Sequence, residues 1–187
     1  DSRISREGEV IRINVDGLPV ENRILPVKAG FTVSVREDAF CFSGTVKGIP
    51  EEWMIKELVY PDISGIKILD HNLNIYWPEI LGQRYDSPEA FGSRSVEYPS
   101  NHGTMAWFSV NSPATGIYVG SHDPLQSPKR FSLEYVKEEK SFRTSVTFPV
   151  YTGELLIPDV MVKPYRGKWY AASGFYRNWY LKNFKLA

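Results

Sequence analysis

The sequence predicts a mainly β protein, folded as an antiparallel sandwich and closed by one C-terminal helix. Three observations carry that expectation. Apolar and polar residues alternate with period two through most of the chain. The alternating runs are short and punctuated by Gly, Pro, Asn and Asp. The period lengthens to a helical one only after Gly167. With 187 residues, 42% of them apolar, the chain can bury a real core as one domain.

The first strand is read at Val10–Val15, where alternation is strict, and Asp16-Gly17 after it is a hairpin-type turn signal. Phe31–Val35 alternates again. In Phe40–Val46 the residues Phe40, Phe42 and Val46 point to one side, with Gly44 as a bulge candidate. Further strands are expected at Leu58–Tyr60, Ile66–Leu69, Met105–Val110, Gly116–Gly120, Phe131–Val136, Phe142–Phe148 and Val160–Lys163. Asp70-His71 reads as a surface turn. From Trp77 to Pro99 the rhythm breaks into a stretch rich in Pro, Gly, Ser and charge, too long for a hairpin turn. It either lines a binding surface through Trp77, Arg84, Tyr85 and Asp86 or packs over one face of the sandwich.

Past Gly167, a weak N-cap candidate, Trp169, Ala172, Tyr176, Trp179, Tyr180 and Phe184 fall on one helical face. The expected organisation is therefore a sandwich over 1–166 and a helix over 167–187. That helix either leads into a following domain or packs back on the sheet. The start at Asp1, without an initiator methionine or signal segment, is read as that of a processed or engineered fragment.

Charge excludes several classes. Basic and acidic residues balance at 22 each, so the electrostatic footprint of a nucleic-acid binder is missing, as is a polybasic stretch for a membrane surface. No apolar run reaches membrane-spanning length. Cys41 is the single cysteine, so no internal disulfide framework exists, and between Phe40 and Phe42 it reads as a small buried hydrophobe.

Chemistry-bearing patterns are few. The three histidines, His71, His102 and His122, lack zinc-enzyme spacing, so no metal is expected. No phosphate-cradling loop, dinucleotide fingerprint or G-x-S-x-G elbow occurs, and no cofactor is expected. Glu79, Asp86, Glu89, Glu97, Asp123 and Glu134 supply carboxylates, but no two are paired by the sequence as glycoside hydrolysis would need. Catalytic residues are therefore not assigned. Aromatic rings make up 14% of the chain, and most are assigned to a β-rich core.

Two segments remain. Tyr98 to Phe108 is a tight polar loop, carrying His102, that enters an aromatic strand containing Trp107. Gly116 to Pro124 is a strand that delivers His122 and Asp123 at its end. That pair suits hydrogen bonds to sugar hydroxyls, and it equally suits a turn in which Asp123 caps the backbone.

Here a resemblance enters. Leu58-Val59-Tyr60-Pro61, Tyr98-Pro99-Ser100 leading to Met105-Ala106-Trp107-Phe108, and Gly116-Ile117-Tyr118-Val119-Gly120-Ser121-His122-Asp123 resemble the N-terminal β-sandwich of large bacterial proteins of a glycoside-hydrolase-like family. In that family a galactose-mutarotase-like supersandwich precedes a (β/α)8 barrel. Gly167-Lys168-Trp169-Tyr170-Ala171-Ala172, followed by Tyr176-Arg177-Asn178-Trp179, is similar to the family's linking helix.

The resemblance implies polysaccharide degradation in a secreted or periplasmic setting, as in gut Bacteroidetes. The catalytic carboxylates would belong to the barrel, downstream on the same polypeptide. The sandwich would support the barrel and lend a loop to its carbohydrate site, with Tyr98, His102, His122 and Asp123 as candidates. Trp77, Arg84 and Trp107 are further carbohydrate-contact candidates. An independent carbohydrate-binding module, with Trp53, Trp77, Trp107 and Tyr85 as a stacking platform, is the competing reading. A mutarotase or epimerase using His102, His122 and Glu134 is the third.

Overall fold

The computed structural model describes residues 2–70, 72–150 and 153–184. Among them, thirteen strands form two antiparallel sheets. The larger has the order β1 (Ser2–Glu7), β2 (Val10–Val20), β3 (Arg23–Arg36), β4 (Ala39–Ile49), β13 (Gly153–Arg166), β10 (Thr115–His122), β9 (Trp107–Asn111), β6 (Asn74–Trp77) and β7 (Gln83–Tyr85). The smaller has the order β5 (Glu57–Ile66), β12 (Ser141–Pro149), β11 (Lys129–Val136) and β8 (Ser93–Tyr98). Two helices complete the fold, α1 (Pro88–Phe91) and α2 (Trp169–Asn183). The fold is the expected antiparallel β-sandwich with a C-terminal helix.

The inner faces of both sheets meet in one core. Ile75 and Trp77 from β6, Phe108 and Val110 from β9, Val119 from β10, and Val160 and Val162 from β13 face Val96, Phe131, Leu133, Phe142, Val146 and Phe148 of the smaller sheet. Each buried ring removes roughly 150–250 Å² from water, so the aromatics dominate this core. A lesser core of Leu25, Val27, Val46, Ile49 and Val150 closes one end, with Trp53 packed against it. The outer face of the larger sheet carries Trp107, Tyr118 and Tyr165, and α2 lies on it with Ala172 fully buried. The helix packs against β9, β10 and β13.

Several boundaries differ from expectation. Asp16-Gly17 is not the turn. The strand runs through it with a register irregularity, and the chain reverses at Glu21-Asn22 instead, with Glu21 at φ +52°. Ile66–Leu69 is not a separate strand, because β5 begins at Glu57 and ends at Ile66. At Gly44 the register irregularity lies in the partner strand β13, between Ile157 and Val160. Gly44 itself is needed for close approach, since a methyl there would sit 2.7 Å from the Gly30 carbonyl. Phe42 packs beside Tyr60, but Phe40 is half exposed. Helix α2 is entered from Lys168, not Gly167, which adopts φ +105°.

The Trp77–Pro99 stretch carries β7, α1 and β8 and crosses from the larger sheet to the smaller one. Ser87 caps α1 by accepting from the Ala90 amide at 3.0 Å, and Phe91 inserts between Trp77 and Tyr85. Cys41 is buried, as expected. His71, of the Asp70-His71 turn, lies outside the described residues.

Candidate functional site

Strand β10 places Tyr118, Gly120 and His122 on one face, two residues apart. Gly120 has no side chain, so the Tyr118 ring lies along the strand over it and would overlap any methyl there. The phenol thereby reaches His122 Nε2 at 3.0 Å. Burial holds the Tyr118 phenol well above its ordinary range, so its O–H donates to the imidazole. Burial likewise pushes His122 down to about 4, outweighing Asp159 and Glu37, and keeps the ring neutral. Trp179 of α2 stacks on that imidazole, with centroids 4.9 Å apart and planes at 10°. A cavity of about 360 Å³ opens beside them, lined among others by Arg36, Asp159, Lys163 and Lys182.

Asp123 takes the structural option. It is buried and accepts from the Leu125 and Ser127 amides at 2.9 and 2.7 Å and from Lys129 Nζ at 2.8 Å. Burial opposes ionisation, but Lys129 and the two amides together hold the carboxyl below its ordinary value. These contacts occupy Asp123 within the protein, so it is not an open sugar ligand. Tyr98, at the end of β8, is also buried; its hydroxyl donates to Gln126 at 3.3 Å, and Lys129 Nζ lies 5.5 Å from its ring centroid. It lines a second cavity of about 240 Å³ with Glu57, Glu97 and Arg130.

His102 is exposed on a tight turn. Ser100 Oγ accepts from the amides of His102 and Gly103, and the His102 carbonyl accepts from the Ile80 amide. The turn thus ties the Trp77–Gly82 loop down through backbone bonds. His122 and Glu134 lie on opposite outer faces of the sandwich, which gives the mutarotase trio no common site. Trp53 and Tyr85 pack in separate places, so the four-ring platform expected for a binding module does not form.

Three candidates do converge. Trp77, Arg84 and Trp107 line one cleft of about 250 Å³ with Tyr76, Leu81, Met105 and Trp169. Trp107 is almost wholly buried under the helix at its floor, whereas the Trp77 ring turns inward against Phe91 and Phe108. Tyr76 and Trp169 form one wall, stacked at 5.1 Å and 21°. The rim is Leu81, which is 92% exposed, and Arg84. Arg84 Nε donates to Asn74 at 3.1 Å, and its guanidinium pairs with Asp86 at 2.6 Å. Sequence reasoning missed Tyr76 and Trp169 as site residues. Alternation over only four residues, Asn74–Trp77, turns Ile75 and Trp77 inward and Tyr76 outward, too short a run to be read from the sequence.

Three of the carboxylates that line cavities are paired with arginines. Glu57 pairs with Arg130, Asp159 with Arg36 at 2.8 Å, and Asp62 with Arg143 at 2.6 Å. Among the described residues no group of three His, Cys, Asp or Glu side chains could hold a metal ion, and no helix is long and apolar enough to cross a membrane.

No protein-family profile matches the chain, and no curated protein does. Solved structures do. An α-N-acetylgalactosaminidase from Bifidobacterium bifidum, NagBb, in its GalNAc complex, is similar over 97% of this chain with a TM-score of 0.64 and 11% identity. The chain spans 30% of that enzyme's length. The galactosidase domain of an α-galactosidase–sucrose kinase, AgaSK, matches 89% of this chain and 26% of its own, at 12% identity and a TM-score of 0.48. At 11% identity the likeness to NagBb is one of fold.

Proposed function

We propose that this chain is a non-catalytic, galactose-mutarotase-like β-sandwich unit of a multidomain glycoside hydrolase, secreted or periplasmic, that supports a downstream catalytic domain. The observation that carries the reading is the fold likeness of nearly the whole chain to less than a third of an α-N-acetylgalactosaminidase.

The test compares the chain alone with the longer protein encoded with it, on nitrophenyl α-galactoside and nitrophenyl N-acetyl-α-galactosaminide. The expected result is no turnover by the chain, turnover by the longer protein, and loss of soluble longer protein when residues 2–184 are deleted. Turnover by the chain alone overturns the reading, as does a reading frame without a further domain.

A further inference from the structure

Three of the five tryptophans in the sequence meet at the cleft between the β6–β7 hairpin and the start of α2. They come from separate parts of the chain, Trp77 from β6, Trp107 from β9 and Trp169 from α2. The Trp77 ring packs inward in the core, and Trp107 belongs to the packed layer under the helix. Trp169 is different. It is 42% exposed and stacks on Tyr76 at the cleft wall, with Tyr170 edge-on to it at 6.4 Å. An indole that is only half covered retains a free face, and its neighbour Leu81 leaves a further apolar surface open at the rim. Polar groups are confined to the edge, where Arg84 and Gln83 lie on β7. Arg84 has five N–H donors; one is spent on Asn74 and another on Asp86, which leaves donors for a ligand.

An apolar aromatic floor with a few hydrogen-bonding groups at one edge is the general form of a small-molecule site. Its shape discriminates among ligands. At about 250 Å³ the cleft has room for one ring rather than a chain of them. A pyranose matches both parts, because its C–H face is apolar and flat and its hydroxyls point outward around the ring. A phosphorylated or otherwise strongly anionic ligand fits poorly, since the single cation, Arg84, already pairs with Asp86. We infer that this cleft binds one neutral pyranose unit, stacked on Trp169 and hydrogen-bonded at its rim by Arg84. The inference deepens the accessory-domain reading by naming a sugar contact on the sandwich itself, and it rests on that reading for its biological setting.

The test is titration of the chain with methyl α-galactoside, methyl α-glucoside and methyl β-xyloside, followed by the indole N–H signals in NMR spectra. Trp→Phe variants assign the signals. The expected result is a saturable shift of the Trp107 and Trp169 signals by at least one glycoside, with Trp53 and Trp179 unmoved. Trp169→Ala should weaken that binding by roughly ten-fold, the scale of one lost aromatic stacking contact. Because Trp169→Ala also touches the helix, Arg84→Met and Leu81→Ala serve as second variants on the exposed rim, and each should weaken binding several-fold while the spectrum stays folded.

Absence of any shift at the highest soluble glycoside concentration overturns the inference. Shifts centred on Trp179, or unchanged affinity in Arg84→Met and Leu81→Ala, do the same. If the Trp107 and Trp169 signals already sit at their shifted positions in the longer protein without sugar, protein fills the cleft and the inference also fails. Each of these failures leaves the accessory-domain reading standing. Absence of a catalytic domain from the longer protein would instead remove that reading and leave sugar binding by the cleft intact.

Discussion

The imidazole of His122 and the indole of Trp179 lie face to face, 4.9 Å apart and 10° from parallel, and join the last turn of strand β10 to helix α2. The contact needs a neutral imidazole, because Tyr118 donates to Nε2 and burial penalises the cation. The groups facing the ring do not reverse this. Asp159 and Glu37 pull toward protonation and Arg36 pushes against it, while Lys163 and Lys182 line the same cavity.

The consequence is a pH dependence of stability. His122 titrates near 6.5 when unfolded and near 4 when folded, so the unfolded chain takes up a proton that the folded chain refuses. Stability is therefore complete above about 6.5, falls as pH drops toward 4, and levels below it, by about 3 kcal/mol in all. Urea unfolding of wild type and His122→Phe across this range measures it. The difference between the two proteins should change by that amount between pH 7 and 4; a constant difference would remove His122 from the account.

Gly120→Ala should break the same arrangement from below. The added methyl occupies the seat of the Tyr118 ring, so the ring must turn out and lose its bond to His122. Overpacking of this kind costs about 1–3 kcal/mol. Thermal unfolding gives the cost, and a red shift of tryptophan emission reports Trp179 leaving the imidazole.

Asp123 and Lys129 form the buried ion pair, with side chains 5% and 0% exposed. Removing one partner strands the other in the interior, so Lys129→Met should cost about 3–5 kcal/mol. Asp123→Asn should cost less than Asp123→Ala, because the amide oxygen still accepts from Leu125 or Ser127. Denaturant midpoints of the three variants check the order.

Trp77 and Trp169 line one cleft but should respond differently to truncation. Trp77 is 1% exposed, and its loss to Ala opens a core cavity worth about 3–5 kcal/mol. Its Nε1 has no hydrogen-bond partner among the described residues, so Trp77→Phe removes an unpaired polar atom and should cost less than half as much. Trp169→Ala loses one stacked face on a half-exposed ring and should cost under about 1.5 kcal/mol. Calorimetric Tm values decide this.

Much of the fold was legible because its signals are local. Period-two alternation marked β2, β3, β4, β9, β10, β11, β12 and β13, and the shift to a helical period marked α2. The strands that were missed are β1, β6, β7 and β8. Exposed on almost every residue, as in Ser2–Glu7, or only three to six residues long, they offer too little alternation to register.

The candidate site was legible in kind but not in arrangement. Asp123 and His122 are adjacent in sequence, and alternation along β10 sends them to opposite sides. One enters a turn with Lys129, the other lies under α2. By contrast Trp77, Trp107 and Trp169 are far apart in sequence and share a cleft.

The amino-acid sequence by itself determined that this chain is an antiparallel β-sandwich ending in a helix, because turn chemistry and side-chain period act over a few residues. Only the tertiary structure decided that the helix lies on the sheet, that Asp123 is structural, and that three tryptophans converge. Those outcomes depend on which distant strands become neighbours. That choice is made by burial of the whole apolar surface at once, and no local pattern encodes it.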